Sequence, residues 1–488
     1  MMPFDPSSVA VTRLSRAEYP KDPPFHPDTR YPEYRGEVGS EPNLAYEAVR
    51  ECFRLLGMDA INYGTPNWNP LSGVVLPGDR VVLKPNLLAQ AHALRHEEWI
   101  QVITHGSVVR AVLDYVILAL KGKGHVSVMD GPQYDSNWNQ IVSRSGLHAV
   151  VRHGSSVTDI PVQLLDLRDY QQEVRGNVIC NRIELPSDPL GGIEIDLGRY
   201  SALTNHRAAG KYYGSDYDQT ETNRHHSGGK HEYRISRTAA CADVFINIPK
   251  LKTHKKVGVT LCMKNLVGIN VGRNWLPHHT DGDPSNGGDQ FPSASAKSRI
   301  ERSVVRWLQR HSLRSPGVSY LYRLAKMGGK HTFGRTDRVI RHGNWYGNDT
   351  CWRMVLDINR CLLYSDGANF PLKSPKRFFA VVDGVIGGQG DGPASPDCYP
   401  TGVVLAGWNP VAVDCAGTRL MGFNPLRIPQ LMRAFDPHPL PLADFPLEAI
   451  HLLSGHEVWN SHVLDIPFEH TYHFKPHFGW VGQIEVQQ

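Results

Sequence analysis

Four lysines and a histidine fall within one short stretch: Lys250, Lys252, His254, Lys255 and Lys256. Thr260, Lys264, Asn265 and Gly268 follow closely. Ammonium groups beside amide donors can hold a phosphate or a carboxylate. A histidine, or a lysine whose pKa has been lowered, can move a proton. Thr260 and Lys264 are one helical turn apart and would share a face. The plainer reading is a solvated lysine-rich loop, since loops carry lysines for many reasons. Similar residue types recur elsewhere: Lys84 and Asn86, then Asp130, then Asp383 followed by Gly388, Gly390 and Asp391. Asp383 and Asp391 are of a type to hold a divalent cation such as Mg or Ni. A glycine-rich loop is expected there, and its Gly388 and Gly390 would let backbone N–H groups approach a phosphate closely. Neither a Walker A nor a dinucleotide fingerprint is present, so nucleotide binding has no support.

These residues all follow short apolar runs. Arg80–Leu83, His125–Met129, Val244–Ile248 and Phe378–Val382 each read as a buried strand. Pro249 ends the third, because proline lacks the N–H that a central strand requires. Between the first two strands, Val108, Val109, Val112, Leu113, Val116, Ile117 and Leu120 recur at helical spacing. Ser107 is the expected N-cap, and Gly122 and Gly124 the stop. Strand, helix and strand with short joints make a βαβ unit with parallel strands. Parallel strands open on the same edge of a sheet, where open α/β folds bind ligands. The expected class is α/β: mostly parallel sheets flanked by helices, with a long mixed insertion. Five segments are expected. They are an extended N-terminal arm (1–44), a first core part (45–272), an insertion (273–350), a second core part (351–425) and a C-terminal extension (426–488). Asn409 caps a further helix that carries Asp414.

The totals set bounds. The chain has 488 residues, enough for two or three domains at about 150 residues each. A net charge of +4 over that length gives no reason to expect nucleic acid. The eight cysteines include no C-x-x-C pair, which removes local zinc and iron–sulfur signatures. There is no secretory h-region at the N-terminus and no apolar run long enough to span a bilayer. A cytoplasmic location is the expectation. His206, His225, His226 and His231 lie in a long polar loop whose spacing fits no familiar metal signature. In the insertion, a helix expected at 295–312 lines Arg299, Arg302, Arg306 and Arg310 along one side. Such a face can rest on an anionic membrane, although arginines turned to water are the more ordinary arrangement.

Six blocks, in order, carry a resemblance: VVLKPNLL, HGSVVRAVLDYVILALKGKG, ADVFINIPKLKTH, TLCMKNLVG, VVDGVIGGQGDGP and AGWNPVAVDCAGTRLMG. Together they resemble the family called domain of unknown function 362, over roughly residues 80–425. Some members of that family add a ferredoxin-like iron–sulfur module; this chain lacks the cysteines for it, so no cluster is expected. The resemblance puts the family's recurring positions on Lys84, Asn86, Lys250, Lys252, His254, Lys264, Asn265, Asp383 and Asp414. A likeness of pattern also exists to nickel-pincer lactate racemases, with His254 and Lys264 as the nearest equivalents. The resulting expectation is an enzyme acting on a small anionic molecule by metal-assisted proton transfer or hydrolysis. His254, Lys250 and Lys264 would be catalytic. Lys84, Asn86, Lys252, Thr260, Asn265, Gly388 and Gly390 would bind substrate, and Asp383 and Asp391 a metal. Asp414 would either take part or cap a neighbouring element. The alternatives are a non-catalytic binder of a polyanion or sugar and a protein that docks on a membrane surface.

Overall fold

A computed structural model describes residues 4–175, 178–214, 219–293 and 339–486. Its centre is a ten-stranded sheet. In chain order the strands are β1 (Ser8–Arg13), β2 (Arg80–Pro85), β3 (His125–Asp130), β4 (Val162–Asp166) and β5 (Val244–Ile248). They continue as β6 (Lys250–His254), β7 (Gly258–Val259), β8 (Arg377–Asp391), β9 (Ser395–Gly407) and β10 (His451–Ser454). Across the sheet the order is β10-β1-β9-β8-β5-β2-β3-β4, and β6 pairs with both β8 and β7. The run β8-β5-β2-β3-β4 is parallel throughout. In the main run β9 is the one strand in the opposite direction, joined to β8 as a long hairpin. The fold is therefore α/β with a mostly parallel sheet.

Alternation along the strands feeds two cores. Val82, Phe245, Ala380, Val382 and Leu405 face one side. There they meet helices Cys351–Leu363 and Pro410–Leu420. Val81, Leu83, Val244, Ile246, Phe379 and Val381 face the other. Helices Leu44–Leu55, Gly106–Leu120 and Leu147–Ser156 cover that side. Strands covered on both faces have no polar side to show, so β2 and β5 read as nearly continuous apolar runs.

Several expectations are corrected. The N-terminal segment is not only a surface arm: β1 lies inside the sheet between β9 and β10, with Val9 opposite Gly407. The C-terminal stretch likewise supplies the edge strand β10. Ser107 is the second residue of its helix, and the cap is His105, whose Nδ1 accepts from the Ser107 N–H. The glycine-rich run after Asp383 is not a loop. It continues β8 and pairs with β9 as far as Asp391 and Ser395. The helix expected at 295–312 lies outside the described residues. No helix among the described residues is long and apolar enough to cross a membrane.

β8 is long enough, at 15 residues, to serve two neighbours in succession. β5 pairs with its first part, Val244 opposite Arg377. After Pro249, β6 pairs with its second part, Lys250 opposite Asp383 and Lys252 opposite Gly388. A step of two residues along β6 thus matches a step of five along β8. That irregularity decides where each lysine points.

Candidate functional site

The carboxyl ends of β2, β3 and β6 open into a cavity of about 360 Å³. The short helix α1, Leu261–Asn265, forms another wall. Asp414 holds that helix in place by accepting from the Cys262 N–H at 2.6 Å and the Met263 N–H at 2.9 Å. Burial pushes the Asp414 carboxyl up to about 7. It therefore caps a neighbouring element and does not line the cavity. Leu261, the first helical residue, sits at φ 42°, in the left-handed region that a branched side chain avoids. Such a conformation persists only where its surroundings enforce it. Here the enforcing elements are the Asp414 cap and complete burial of Leu261.

A chain of buried polar groups floors the cavity. Lys84 Nζ lies 2.7 Å from Asp130 Oδ1, both within the protein. Asp130 also accepts the Leu87 N–H at 2.6 Å and the Gly131 N–H at 2.8 Å. Lys84 donates to Pro85 O at 3.0 Å and to Asn265 Oδ1 at 3.3 Å. The Asn265 amide donates to Lys84 O and to Asn247 Oδ1, and its oxygen accepts from Asn86 Nδ2 at 2.9 Å. The oxygen of Asn86 in turn accepts from Lys252 Nζ at 3.0 Å. Lys252 completes its shell with Val102 O at 2.5 Å and Pro393 O at 3.4 Å. Burial lowers the pKa of Lys84, and Asp130 opposes that fall. Lys252 has only neutral oxygens, so burial and the charge of Lys250 drive it well down. Gly268 closes over the ion pair. A Cβ there would collide with Asp130 Oδ1 and lie 2.9 Å from Lys84 Nζ.

Above this floor, donors outnumber acceptors. His254 Nδ1 accepts the Lys256 backbone N–H at 3.1 Å, so that nitrogen carries no proton. Burial and the neighbouring Lys264 keep the ring neutral, which places its single proton on Nε2. Lys264 lines the cavity and has neither a hydrogen bond nor an ion pair from its ammonium to any described residue. Burial lowers its pKa. Lys256 donates to His342 O at 2.5 Å and to His279 Nδ1 at 3.2 Å, and burial pushes it down to about 7. Five cationic side chains line the cavity, Lys252, Lys255, Lys256, Lys264 and Arg273, against two carboxylates, Asp130 and Asp135. Asp130 is already committed to Lys84. The arrangement can take an anion, polarise one of its oxygens from His254 Nε2, and exchange a proton through an amine of lowered pKa.

Of the residues singled out in the sequence, Asn86, Asp130, Lys252, His254, Lys255, Lys256, Thr260, Lys264, Asn265 and Gly268 line this one cavity. Lys84 lies directly behind Asp130. The structure does not bring the others there. Lys250 turns to Asp383 at 3.0 Å and to the Tyr19 hydroxyl at 2.8 Å. Asp383 also accepts from the Tyr19 hydroxyl and from the His105 N–H. Lys250 and Asp383 are both fully buried, so the pair fastens the N-terminal segment to the sheet. Asp391 lies eight residues further along β8, roughly 26 Å away at ~3.3 Å per residue. The two aspartates therefore cannot share a cation. Gly388 is inside the sheet, opposite Lys252 and Cys398, and backs the Lys252 side chain. Gly390 accepts from Thr253 Oγ1 at 2.9 Å and lies by a separate hollow.

The loop histidines brace one another. His226 Nε2 meets Trp275 O at 2.7 Å, His225 pairs with Glu232 at 2.9 Å and stacks on Trp275, and His206 lies 3.5 Å from Asp349. Among the described residues no group of three or more His, Cys, Asp or Glu could hold a metal ion. Sequence reasoning passed over Arg273, Tyr134 and Gln172 at the cavity and Tyr19 beneath it. None of these belongs to a periodic pattern that points inward. The one available signal was the run Gly268–Gly272, whose two glycines allow the close approach that brings Arg273 back to the β3 exit.

Comparison with known proteins adds a family. A family model described as domain of unknown function (DUF362) matches residues 81–190 and 198–419. These stretches contain the whole floor of the cavity. The chain is also similar to a thylakoid-associated protein of Synechocystis sp. (strain ATCC 27184 / PCC 6803 / Kazusa), 25% identical over 252 residues. The matched part is 51% of this chain and 58% of that relative. The chain thus spans less than two thirds of the relative's length.

Proposed function

This chain belongs to the domain of unknown function (DUF362) family, and on that premise we propose that it is an enzyme acting on a small molecule that bears a phosphate or carboxylate. One observation carries this reading. Lys264 is enclosed in the cavity with no counter-charge from any described residue, beside His254 and above Lys252. A buried ammonium without a partner is unfavourable, and an anionic ligand would supply what is missing. Lys252, held by Asn86, Val102 and Pro393, forms the floor beneath it. The neutral His254 donates from Nε2 to a substrate oxygen and steadies charge that builds there. Lys264, its pKa lowered by burial, gives up a proton from that ammonium to the substrate. The reaction class is proton transfer or hydrolysis next to the anionic group. No step is assigned to a divalent cation, because the two aspartates expected to hold one do not meet.

Deuterium exchange tests the catalytic part. A panel of carboxylates and phosphate esters is incubated with the protein in deuterium oxide and read by NMR. Exchange or turnover of one compound is expected, and His254→Ala and Lys264→Ala should each abolish it. Undiminished exchange in both variants rejects the assignment. Binding without exchange favours the non-catalytic anion binder. A membrane-surface role is supported by the name of the thylakoid-associated relative alone. Flotation with liposomes containing anionic lipid at low salt decides it: no co-flotation ends that reading.

A further inference from the structure

The cavity has a second wall whose donors the reading above leaves unused. It is built from Tyr134, Gln172 and Arg273. The Tyr134 hydroxyl accepts the Arg273 backbone N–H at 3.2 Å, and Tyr134 O accepts the Gln172 backbone N–H at 2.8 Å. The guanidinium lies over the Tyr134 ring, 5.6 Å from its centre, and one of its terminal nitrogens donates to Gly131 O. These contacts fix the Arg273 side chain and the backbone at Gln172. Yet Arg273 Nε and Gln172 Nε2 are buried with no hydrogen-bond partner among the described residues. Gln172 is only 9% exposed, and both residues line the cavity. A buried donor left unmatched is costly.

We infer that the ligand carries two separate anionic groups, one bound between Lys264 and His254 and the other by Arg273 and Gln172. Diphosphates, bisphosphates, dicarboxylates and phosphocarboxylates share that chemistry. Three observations point the same way. Both walls carry nitrogen-bearing side chains: Lys264 and His254 on one, Arg273 and Gln172 on the other. Five lysine and arginine side chains line the cavity against one uncommitted carboxylate, Asp135, which is exposed. Finally, a cavity of about 360 Å³ equals the bulk volume of roughly twelve waters, at ~30 Å³ each. A five-atom ion would leave most of it empty.

The inference rests on the anion-site reading, and the experiment separates the two. The full chain is titrated calorimetrically, at fixed ionic strength, with orthophosphate and pyrophosphate and then with acetate and succinate. Wild type should bind the two-headed member of at least one pair ten-fold or more tighter than its one-headed counterpart. Arg273→Met and Gln172→Leu should each remove that preference while one-headed binding stays. The glutamine variant serves if the arginine variant does not fold. Equal affinity for one- and two-headed ions in wild type overturns this inference alone. So does a loss in Arg273→Met that is the same factor for both ions. Absence of binding by all four ions overturns the anion-site reading and this inference with it.

Discussion

Lys250→Met offers a searching test of how the structure divides its lysines. Lys250 Nζ is fully buried, 3.0 Å from Asp383 Oδ2 and 2.8 Å from the Tyr19 hydroxyl. Removing it strands a buried carboxylate, which costs about 3–5 kcal/mol. The whole stability of a domain is about 5–15 kcal/mol, so the loss is large. Asp383→Asn keeps an acceptor for the His105 N–H and places a donor toward Tyr19. The double variant Lys250→Met/Asp383→Asn has no buried charge left and should recover part of the loss. A coupling energy of about 1–3 kcal/mol is expected from the double-mutant cycle. Urea unfolding followed by tryptophan fluorescence measures all four proteins, and sulfate titration runs beside it. Sulfate affinity should stay within about two-fold of wild type wherever the protein is folded, since Lys250 does not line the cavity. Lys250→Met within about 0.5 kcal/mol of wild type would refute the reasoning. So would unchanged stability with lost sulfate binding, which would return Lys250 to the site.

Other consequences are equally direct. Gly268→Ala forces a Cβ against Asp130 and Lys84; it should cost about 1–3 kcal/mol in urea unfolding and weaken sulfate binding at least ten-fold. Asp414, pushed up to about 7 by burial, favours its protonated form in the folded chain. Its contribution to stability is therefore full below about pH 4, its unfolded pKa, and is lost as pH rises through about 7. Asp414→Asn should flatten that slope in unfolding measured between pH 4 and 8, and an unchanged slope would contradict the assignment. Sulfate keeps a fixed charge across this range, so the pH dependence of its binding reports the protein. Lys256, pushed down to about 7, and the other lysines of lowered pKa lose their protons as pH rises. Sulfate affinity should accordingly fall as pH rises through about 7. Calorimetry that shows tighter binding at pH 8.5 than at pH 6.5 would contradict this.

The parallel half of the fold was legible because its strands are covered on both faces. Arg80–Leu83, His125–Met129, Val244–Ile248 and Phe378–Val382 are short apolar runs with the helix of residues 106–120 at a crossover, and all four lie in the sheet. Parallelism then put the exits of β2, β3 and β5 on one edge, which is why Asn86, Lys252, His254 and Lys264 meet. The antiparallel part was hidden. Ser8–Arg13 is a six-residue strand among prolines and charges, and its place depends on β9, some 390 residues later, a pairing that local pattern does not encode. The glycines after Asp383 read as a loop because glycine disfavours strands, yet close packing against Leu251 and Phe474 requires them there. Lys250 and Lys252 share a face by simple alternation. The irregular pairing of β6 with β8 sends the first to Asp383 and the second to Asn86. Tyr19 acts from a loop and Arg273 from the start of a 3-10 turn, Arg273–Trp275, through tertiary contacts alone.

The most direct test is sulfate and orthophosphate titration of the wild-type protein against Lys264→Met at pH 6.5. The Lys264 ammonium makes no hydrogen bond or ion pair with any described residue, so the substitution should leave unfolding within about 0.5 kcal/mol. One anion should bind wild type with a dissociation constant in the micromolar to low millimolar range, and Lys264→Met should lose at least ten-fold. Equal anion affinity in the two proteins would contradict the account, because the enclosed lysine would then have no ligand to meet.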